Sequence, residues 1–164
     1  MRDPKDIIIN SVQLSVILDN HKKWLLDQVD GQRADLRGAY LQRADLRGAD
    51  LRGADNSEFA LALVTIVPEG DIIGWKKCRD SVIVKLLIPT NAKRSNATGR
   101  KCRAEFAKVL EVFGAEYGVT DNHGPTTEYR VGEIVYPDSW GDNRLDECSH
   151  GIHFFITRLE AENY

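Results

Sequence analysis

A five-residue period between Ala34 and Gly53 is the feature that most restricts how this chain can fold. The residues run ADLRG, AYLQR, ADLRG and ADLRG, with alanine first and leucine third in every unit. A period this short and strict predicts a solenoid, in which the small and branched side chains stack inward and the others face solvent. The pattern ends in the segment Ala54–Glu58, so the repetitive part is short.

These residues resemble the pentapeptide-repeat family, whose pattern is A(D/N)LXX, over residues 34–55. The preceding segment His21–Leu25 (HKKWL) is similar to the lead-in that often stands before such repeats. The resemblance implies a right-handed, four-sided β-helix in which four pentapeptides make one coil. We therefore expect residues 31–58 to form about one coil.

The best-known activity of that family is mimicry of DNA, and two features argue against it here. A mimic needs a rod of several coils, and the outward positions of these repeats are charge-balanced rather than acidic. The charged residues are Asp35, Asp45 and Asp50, matched by Arg37, Arg47 and Arg52, with Arg33 and Arg43 in addition. We expect no DNA mimicry, and arginines on successive faces of one coil would also make a poor groove-binding surface.

A helix is predicted before the repeats, within Ser11–Val29. Ile17, His21, Trp24 and Leu25 recur at three- and four-residue spacing, and Gly31 ends the pattern. Residues 1–30 are therefore expected to be a helical cap that covers one end of the coil.

Composition excludes several classes of protein. The 164 residues hold 22 Lys+Arg against 25 Asp+Glu, and this net charge of -3 is unlike that of a strongly basic nucleic-acid binder. No apolar run approaches the roughly 20 residues of a membrane span, and no secretory signal is evident. Three cysteines make an odd, dispersed set rather than a disulfide scaffold. We expect a cytoplasmic protein with reduced thiols and no membrane partner.

Residues 59–164 predict a β-rich α+β domain, so the whole chain is expected to be α+β and mainly β. Two strands, Asp71–Lys77 and Ser81–Ile88, are expected to form a hairpin around Cys78–Asp80. One face of its second strand would carry Val82, Val84, Leu86 and Ile88. The remaining expectations are a strand at Phe59–Val67, a loop at 90–101, helix or strand at 102–113, an irregular segment at 114–128, strands at 129–136 and 152–156, an acidic loop at 137–149, and a short helix opened by the capping box Thr157–Glu160.

From Glu69 onwards the sequence resembles a domain family of unknown function that follows pentapeptide repeats in bacteriophage and prophage proteins. The matching segments are Glu69–Cys78, Lys93–Arg103, Tyr129–Glu133 and Glu147–Phe155. The resemblance favours strand over helix at 102–112 and implies a phage or prophage origin. It brings no assigned chemistry.

The segment Lys93–Arg103, here called the basic loop, holds five cations and no acid, interleaved with serine, asparagine, threonine and glycine. Guanidinium groups and backbone N–H groups of this kind suit phosphate oxygens. The alternative is a solvated loop that pairs with the acidic residues between Glu133 and Glu147. Together with cations and histidines elsewhere in the domain, the candidate ligand-binding residues are Lys93, Arg94, Arg100, Lys101, Arg103, Arg130, His150 and His153.

The run Cys148–His153 (CSHGIH) is the other chemically suggestive segment. With Cys78 and Cys102 it could supply a zinc site, but no CxxC or HxxxH pair anchors one, so no metal and no cofactor are expected. A nucleophilic cysteine–histidine pair needs a third group to orient the base, and the sequence supplies none convincingly. No catalytic residue is predicted.

These observations favour a non-enzymatic, phage-encoded binding protein whose C-terminal domain takes an anionic, nucleotide-like ligand, for example to sequester a host signalling nucleotide. One alternative is a protein–protein interaction module that inhibits a host factor. Another is an ADP-ribosyltransferase-like enzyme, which would use Arg130 with Glu147 or Glu160. Short solenoids often bury their open ends by pairing, so a homodimer is expected.

Overall fold

The computed structural model describes residues 1–121 and 126–164. Contacts divide the chain into two compact units: a first unit of Met1–Thr65 with Ala97–Gly99, and a second unit of Ile66–Asn96 with Arg100–Tyr164. Strands hold more residues than helices in the described part of the chain, so the predicted mixed, mainly β composition is confirmed.

The first unit opens with a 3₁₀ turn at Pro4–Asp6 and two short antiparallel strands, β1 (Ile8–Ile9) and β2 (Val12–Gln13). The predicted helix follows as α1 (Leu14–Leu25), which is shorter than expected because Asn10 and Ser11, at φ 48° and 69°, form the β1–β2 turn. His21 is buried on α1, stacks on Trp24 at 5.3 Å and accepts a hydrogen bond from the Ala34 amide at Nδ1.

The pentapeptides repeat one local geometry. In each, the leucine carbonyl accepts a hydrogen bond from the alanine amide three residues later, at 2.9–3.1 Å, in the pairs Leu36–Ala39, Leu41–Ala44, Leu46–Ala49 and Leu51–Ala54. Nearly all these side chains are buried, as the period predicts: Ala34, Leu36, Ala39, Leu41, Ala44, Leu46, Leu51 and Ala54, with Ala49 half-buried.

After four pentapeptides the backbone returns beside its own start. Asp35 and Asp55 form a parallel bridge, in which the Leu36 amide donates to the Asp55 carbonyl at 2.9 Å and the Asp55 amide donates to the Ala34 carbonyl at 2.8 Å. A second isolated parallel bridge joins Arg2, before the repeats, to Ala44, and no solenoid sheet is formed in residues 26–55. Thr98 packs against the same unit, where its hydroxyl donates to the Ala44 carbonyl at 2.6 Å.

The predicted strand at Phe59–Val67 is wrong, because helix α2 (Ser57–Ala62) occupies its first half. Asn56 adopts a left-handed conformation at φ 59° and turns the chain out of the repeats. Ala60, Leu61 and Val64 are buried while Phe59 and Leu63 are exposed, which is helical spacing. A short apolar run does not by itself distinguish the two structures.

The second unit is built on a four-stranded antiparallel sheet. Its strands are β3 (Ile72–Lys77), β4 (Ile83–Ile88), β7 (Ala107–Phe113) and β10 (Ile134–Val135), in the spatial order β10-β7-β4-β3. The predicted hairpin is confirmed, and Val82, Val84, Leu86 and Ile88 are all buried on one face. Gly74 on β3 is needed for packing, since a Cβ there would lie 2.5 Å from the ring of Phe154.

Two smaller sheets complete the second unit. A three-stranded sheet pairs β5 (Arg94–Ser95), β6 (Cys102–Ala104) and β11 (Ile152–Phe154) in the order β11-β6-β5, and β8 (Gly118–Thr120) pairs with β9 (Thr127–Tyr129). The helix α3 (Arg158–Glu162) begins at the predicted capping box, which is confirmed. An antiparallel bridge between Trp75 and Phe155, with hydrogen bonds of 2.8 and 2.7 Å, places the end of β11 beside β3.

The remaining segments show where local pattern misleads. Strand at 102–113 is confirmed by β6 and β7. The loop predicted at 90–101 contains β5, and the irregular segment predicted at 114–128 contains β8 and the start of β9; its residues 122–125 lie outside the described residues. The single strand predicted at 129–136 is wrong, because a turn at Gly132, with φ 89°, separates Tyr129 from β10.

Candidate anion-binding cavity

A cavity of about 450 Å³ lies within the second unit, between β3, β9, β11 and the loop 137–149. Its wall combines basic, aromatic and hydroxyl-bearing side chains. The lining residues are Lys76, Lys77, Lys101, Thr120, Thr127, Tyr129, Pro137, Asp138, Cys148, Ser149, His150, Gly151, Ile152, His153, Phe155 and Tyr164.

Three lysines of the wall come from two parts of the fold. Lys76 and Lys77 end β3, and Lys101 immediately precedes β6. Lys76 Nζ donates to the His153 carbonyl at 3.2 Å, Lys77 Nζ to the Glu162 carbonyl at 3.1 Å, and Lys101 Nζ to the Tyr164 hydroxyl at 2.8 Å. Among the residues that the structure describes, none of these ammonium groups forms an ion pair with a carboxylate, and the three lysines outnumber the one carboxylate of the wall, Asp138.

Burial disfavours the charged form of Lys76. It lowers the pKa of Lys76 to about 8, and the positive charge of Lys101 acts in the same direction. The Lys76 ammonium also lies 5.6 Å from the centre of the buried Tyr129 ring. An anion in the cavity would therefore stabilise the protonated lysine.

His153 on β11 is neutral at pH 7. Burial lowers its pKa to about 4, and the positive charges of Lys101 and Lys76 add to this effect. Its Nε2 atom is buried without a hydrogen-bond partner in the described part of the chain. The imidazole therefore offers the cavity a polar atom that a ligand could satisfy.

Asp138 and His150 form a hydrogen-bonded pair on the wall of the cavity. The Asp138 carboxylate lies 3.0 Å from Nδ1 of His150, and this hydrogen bond lowers the pKa of Asp138. Both side chains are more than one-third exposed. Cys148, which also lines the cavity, is exposed.

Arg103 holds the loop in place from inside the protein. Its guanidinium is buried and donates to the carbonyl groups of Gly141 at 2.5 Å, His150 at 3.1 Å and Asn143. It also stacks on Trp140, at 4.6 Å from the ring centre. The sequence suggests that Arg103 binds a ligand, but the structure uses its donors on the backbone of the loop.

The structure brings Lys101, His150 and His153 together and places the other five candidate residues outside the cavity wall. Lys93 pairs with Asp142 at 3.1 Å, Arg100 with Glu160 at 2.6 Å and Arg130 with Glu128 at 2.8 Å, while Arg103 holds the loop. Arg94 Nη1 is buried with no partner among the described residues. The Lys93–Asp142 pair is the contact expected if the basic loop serves only to pair with the acidic loop.

The residues of the ADP-ribosyltransferase alternative lie outside the cavity as well. Arg130, Glu147 and Glu160 are not part of the cavity wall. All three cysteines are free, and burial raises the pKa of Cys78 to about 11 and that of Cys102 to about 12. Over residues 1–121 and 126–164, no three His, Cys, Asp or Glu side chains are grouped so that they could hold a metal ion.

Sequence reasoning missed Lys76, Lys77 and Tyr129 as site residues. The available signal was the pair of lysines that directly follows Trp75 in an otherwise apolar strand. A lysine at the end of a hairpin strand is usually solvated, and only the approach of β11 and β9 encloses these two.

Two family models match the chain. Residues 63–161 match a family of unknown function, DUF5758. The chain belongs to this family. Residues 26–55 match the model for pentapeptide repeats, so the resemblance drawn from the five-residue period is confirmed. The cavity lies wholly within the DUF5758 region, apart from Tyr164.

No curated protein and no solved structure matches the chain. None of the helices in the described residues is both long and apolar enough to cross a membrane.

Proposed function

We propose that the second unit binds a small anionic, nucleotide-like ligand in the cavity lined by Lys76, Lys101 and His153. The observation that carries this proposal is that three lysines line one cavity and that their ammonium groups lack a carboxylate partner among the described residues. Positive charge held in a partly buried site is unfavourable unless something compensates it. A bound phosphate would supply that compensation.

The rest of the wall suits a nucleotide. The exposed ring of Tyr164 offers a surface on which a base can stack, and the hydroxyl group of Thr120 can bond to a sugar or phosphate. The volume of about 450 Å³ lies within the range of about 300–1,000 Å³ that is usual for small-molecule sites. In a phage-encoded protein such a site would sequester a host nucleotide, as the sequence suggests.

The test is a thermal-shift screen of the full chain with mononucleotides, dinucleotides and cyclic oligonucleotides, followed by calorimetric titration of each hit. A ligand at 100 times its Kd should stabilise the protein by about 2.7 kcal/mol through mass action. Lys101→Gln should weaken binding about tenfold or more, because it removes a charge from the wall. Lys93→Gln is the matched control, since this exposed lysine pairs with Asp142 outside the cavity.

Two results would count against the proposal. One is the absence of any thermal shift with every nucleotide at millimolar concentration. The other is an equal loss of affinity in Lys93→Gln and Lys101→Gln. That result would indicate that the ligand binds the basic loop, as the sequence suggests, and not the cavity.

For the first unit, we propose that residues 34–55 form one coil of a right-handed, four-sided β-helix. The parallel Asp35–Asp55 bridge across four pentapeptides and the repeated leucine-to-alanine hydrogen bonds support this geometry. Insertion of a second copy of residues 34–53 should keep the fold, because a whole coil preserves the inward register. Insertion of two and a half pentapeptides should unfold the unit, as measured by circular dichroism. Equal tolerance of both insertions would contradict the coil.

A further inference from the structure

We infer that the amino group of Lys76 forms an imine with a small aldehyde that carries a carboxylate and enters the cavity. Lys76 is half-buried near the end of β3 and lines the cavity with two further lysines, Lys77 and Lys101. The inference concerns a covalent reaction, so it goes beyond the reversible binding of a nucleotide and does not require that a nucleotide is the ligand.

The amino group of Lys76 is held in place. Its Nζ atom donates to the His153 carbonyl at 3.2 Å and lies 5.6 Å from the centre of the Tyr129 ring, so contacts from β11 and β9 position it. Both of these residues also line the cavity. A neutral amine can donate one N–H to a carbonyl and keep its lone pair for attack on carbon, and a nucleophile in a fixed position reacts faster than a freely rotating one.

Lys76 is also the lysine of the wall whose surroundings favour the neutral amine. Burial lowers its pKa to about 8, and the positive charge of Lys101 acts in the same direction. At pH 7 about one Lys76 side chain in ten is then neutral, against about one in 3,000 for a lysine with the ordinary pKa of 10.5. Desolvation beside another cation is a known way to make a lysine nucleophilic.

The titratable groups that surround Lys76 on neighbouring elements do not restore its proton. Burial raises the pKa of Cys78 to about 11 and also raises that of Tyr129, while burial lowers the pKa of His153 to about 4. These three groups are therefore uncharged at pH 7, and Lys101 is positive. Among the residues that the structure describes, Lys76 forms no ion pair with a carboxylate.

The carboxylate of the aldehyde would bind the other two lysines of the wall. Lys77 and Lys101 each donate one hydrogen bond to an uncharged oxygen of the protein, and an ammonium group has three donors, so each keeps donors for a ligand. The carboxylate of the wall, Asp138, is instead bonded to His150. The cavity thus combines a site for an anion with an amine that reacts with a carbonyl group.

The chemical step needs no co-reactant. The Lys76 nitrogen forms a bond to the aldehyde carbon, and one nitrogen proton passes to the aldehyde oxygen to give a carbinolamine. The carbon–oxygen bond then breaks, the hydroxyl group leaves as water with the remaining nitrogen proton, and nitrogen forms a double bond to carbon. The products are the imine and one water molecule. Protonation of the imine gives a cation, whose charge the carboxylate of the ligand compensates.

The experiment treats the full chain with 4-oxobutanoate or with butanal, two aldehydes of equal chain length that differ in the carboxylate. Sodium cyanoborohydride reduces each imine to a stable amine, and peptide mass spectrometry gives the rate at every lysine. Lys108, exposed on β7 outside the cavity wall, is the internal comparison. With 4-oxobutanoate at pH 7, we expect Lys76 to react at least about tenfold faster than Lys108. At Lys76, 4-oxobutanoate should react at least about tenfold faster than butanal.

Two further measurements test the mechanism. The rate at Lys76 should level off above about pH 8, whereas the rate at Lys108 should continue to rise towards about pH 10. In Lys101→Gln, whose folding is checked by circular dichroism, the preference of Lys76 for 4-oxobutanoate over butanal should fall. This ratio compares two aldehydes at one amine, so a change in the pKa of Lys76 cancels from it.

Reaction of Lys76 no faster than Lys108 in the wild-type chain would overturn the inference, and this comparison needs no variant to fold. Equal rates of the two aldehydes at Lys76 would overturn the assignment of a carboxylate-bearing ligand. No nucleotide is present in these reactions, so failure of every nucleotide to bind would leave the rates unaffected. The imine and the nucleotide site therefore fail independently.

Discussion

The substitution Arg103→Lys tests whether this buried guanidinium holds the loop 137–149. Arginine donates from two nitrogens to the carbonyl groups of Gly141, Asn143 and His150 and stacks on Trp140. Lysine keeps the charge and most of the volume but has one ammonium group on a flexible stem. It can therefore keep about one of the three contacts.

The expected cost follows from the lost contacts. Two hydrogen bonds from a charged donor contribute about 1.5–3 kcal/mol each, and the cation–π contact adds about 0.5–1 kcal/mol. Gly141 is half-buried and Asn143 is exposed, so we expect water to recover part of this loss. We expect the free energy of unfolding to fall by about 2–4 kcal/mol.

Urea unfolding monitored by circular dichroism measures this change. At an m value of about 2 kcal/mol/M, the midpoint for the second unit should fall by about 1–2 M. The matched control is Arg100→Lys, because Arg100 pairs with Glu160 on the surface, with 46% of its side chain exposed. That change should cost less than about 1 kcal/mol. Equal midpoints for Arg103→Lys and Arg100→Lys would refute the assignment of Arg103 as the residue that holds the loop.

Three further predictions concern titration and packing. The pKa of Lys76 is about 8 when folded against an ordinary value of 10.5, so the folded protein binds fewer protons between these pH values. Its stability relative to Lys76→Met should therefore rise with pH from about 8 to 10.5, as measured by urea midpoints, and a constant difference would contradict burial of the charge. The pKa of His153 is about 4 against 6.5, so protonation opposes folding, and the protein should lose stability as the pH falls from 6.5 towards 4. A His153 ring signal that titrates near 6.5 by NMR would exclude this. Leu41→Ala should lower the free energy of unfolding by about 2–5 kcal/mol, because Leu41 is fully buried in the repeats. Tyr40 is 69% exposed, so Tyr40→Ala should change it by less than about 0.5 kcal/mol in the same thermal or urea assay. Similar losses in the two variants would contradict the inward register.

Local pattern predicted those elements whose period repeats or whose ends carry a signal. The alanine and leucine positions of the repeats, the hairpin of β3 and β4, and the capping box Thr157–Glu160 all have a local physical cause, so one stretch of sequence contains the whole signal. The segment Phe59–Val67 has no such signal, and its assignment as a strand is wrong. The burial of Ala60, Leu61 and Val64 depends on what packs against them.

The site depended far more on tertiary structure. The density of cations in the basic loop predicted a binding site there, and of these cations Lys101 does line the cavity. Arg100 and Arg103 instead bond to partners about 40 to 60 residues away in sequence. Charge composition is the same whether a cation meets a carboxylate, a carbonyl or open solvent. Lys76 and Lys77, in contrast, were inconspicuous in a hairpin strand until β9 and β11 were placed around them.

By itself, the sequence determined that four pentapeptides bury alanine and leucine, and that the second unit is rich in strands. Only the tertiary structure decided which cations remain without a carboxylate partner in the described residues and that Asp138 meets His150. The physical reason is the distance in sequence over which the interacting residues lie. Periodic burial is set by neighbours within a few residues, whereas the charge and hydrogen bonding of a cavity depend on segments that only the fold brings together.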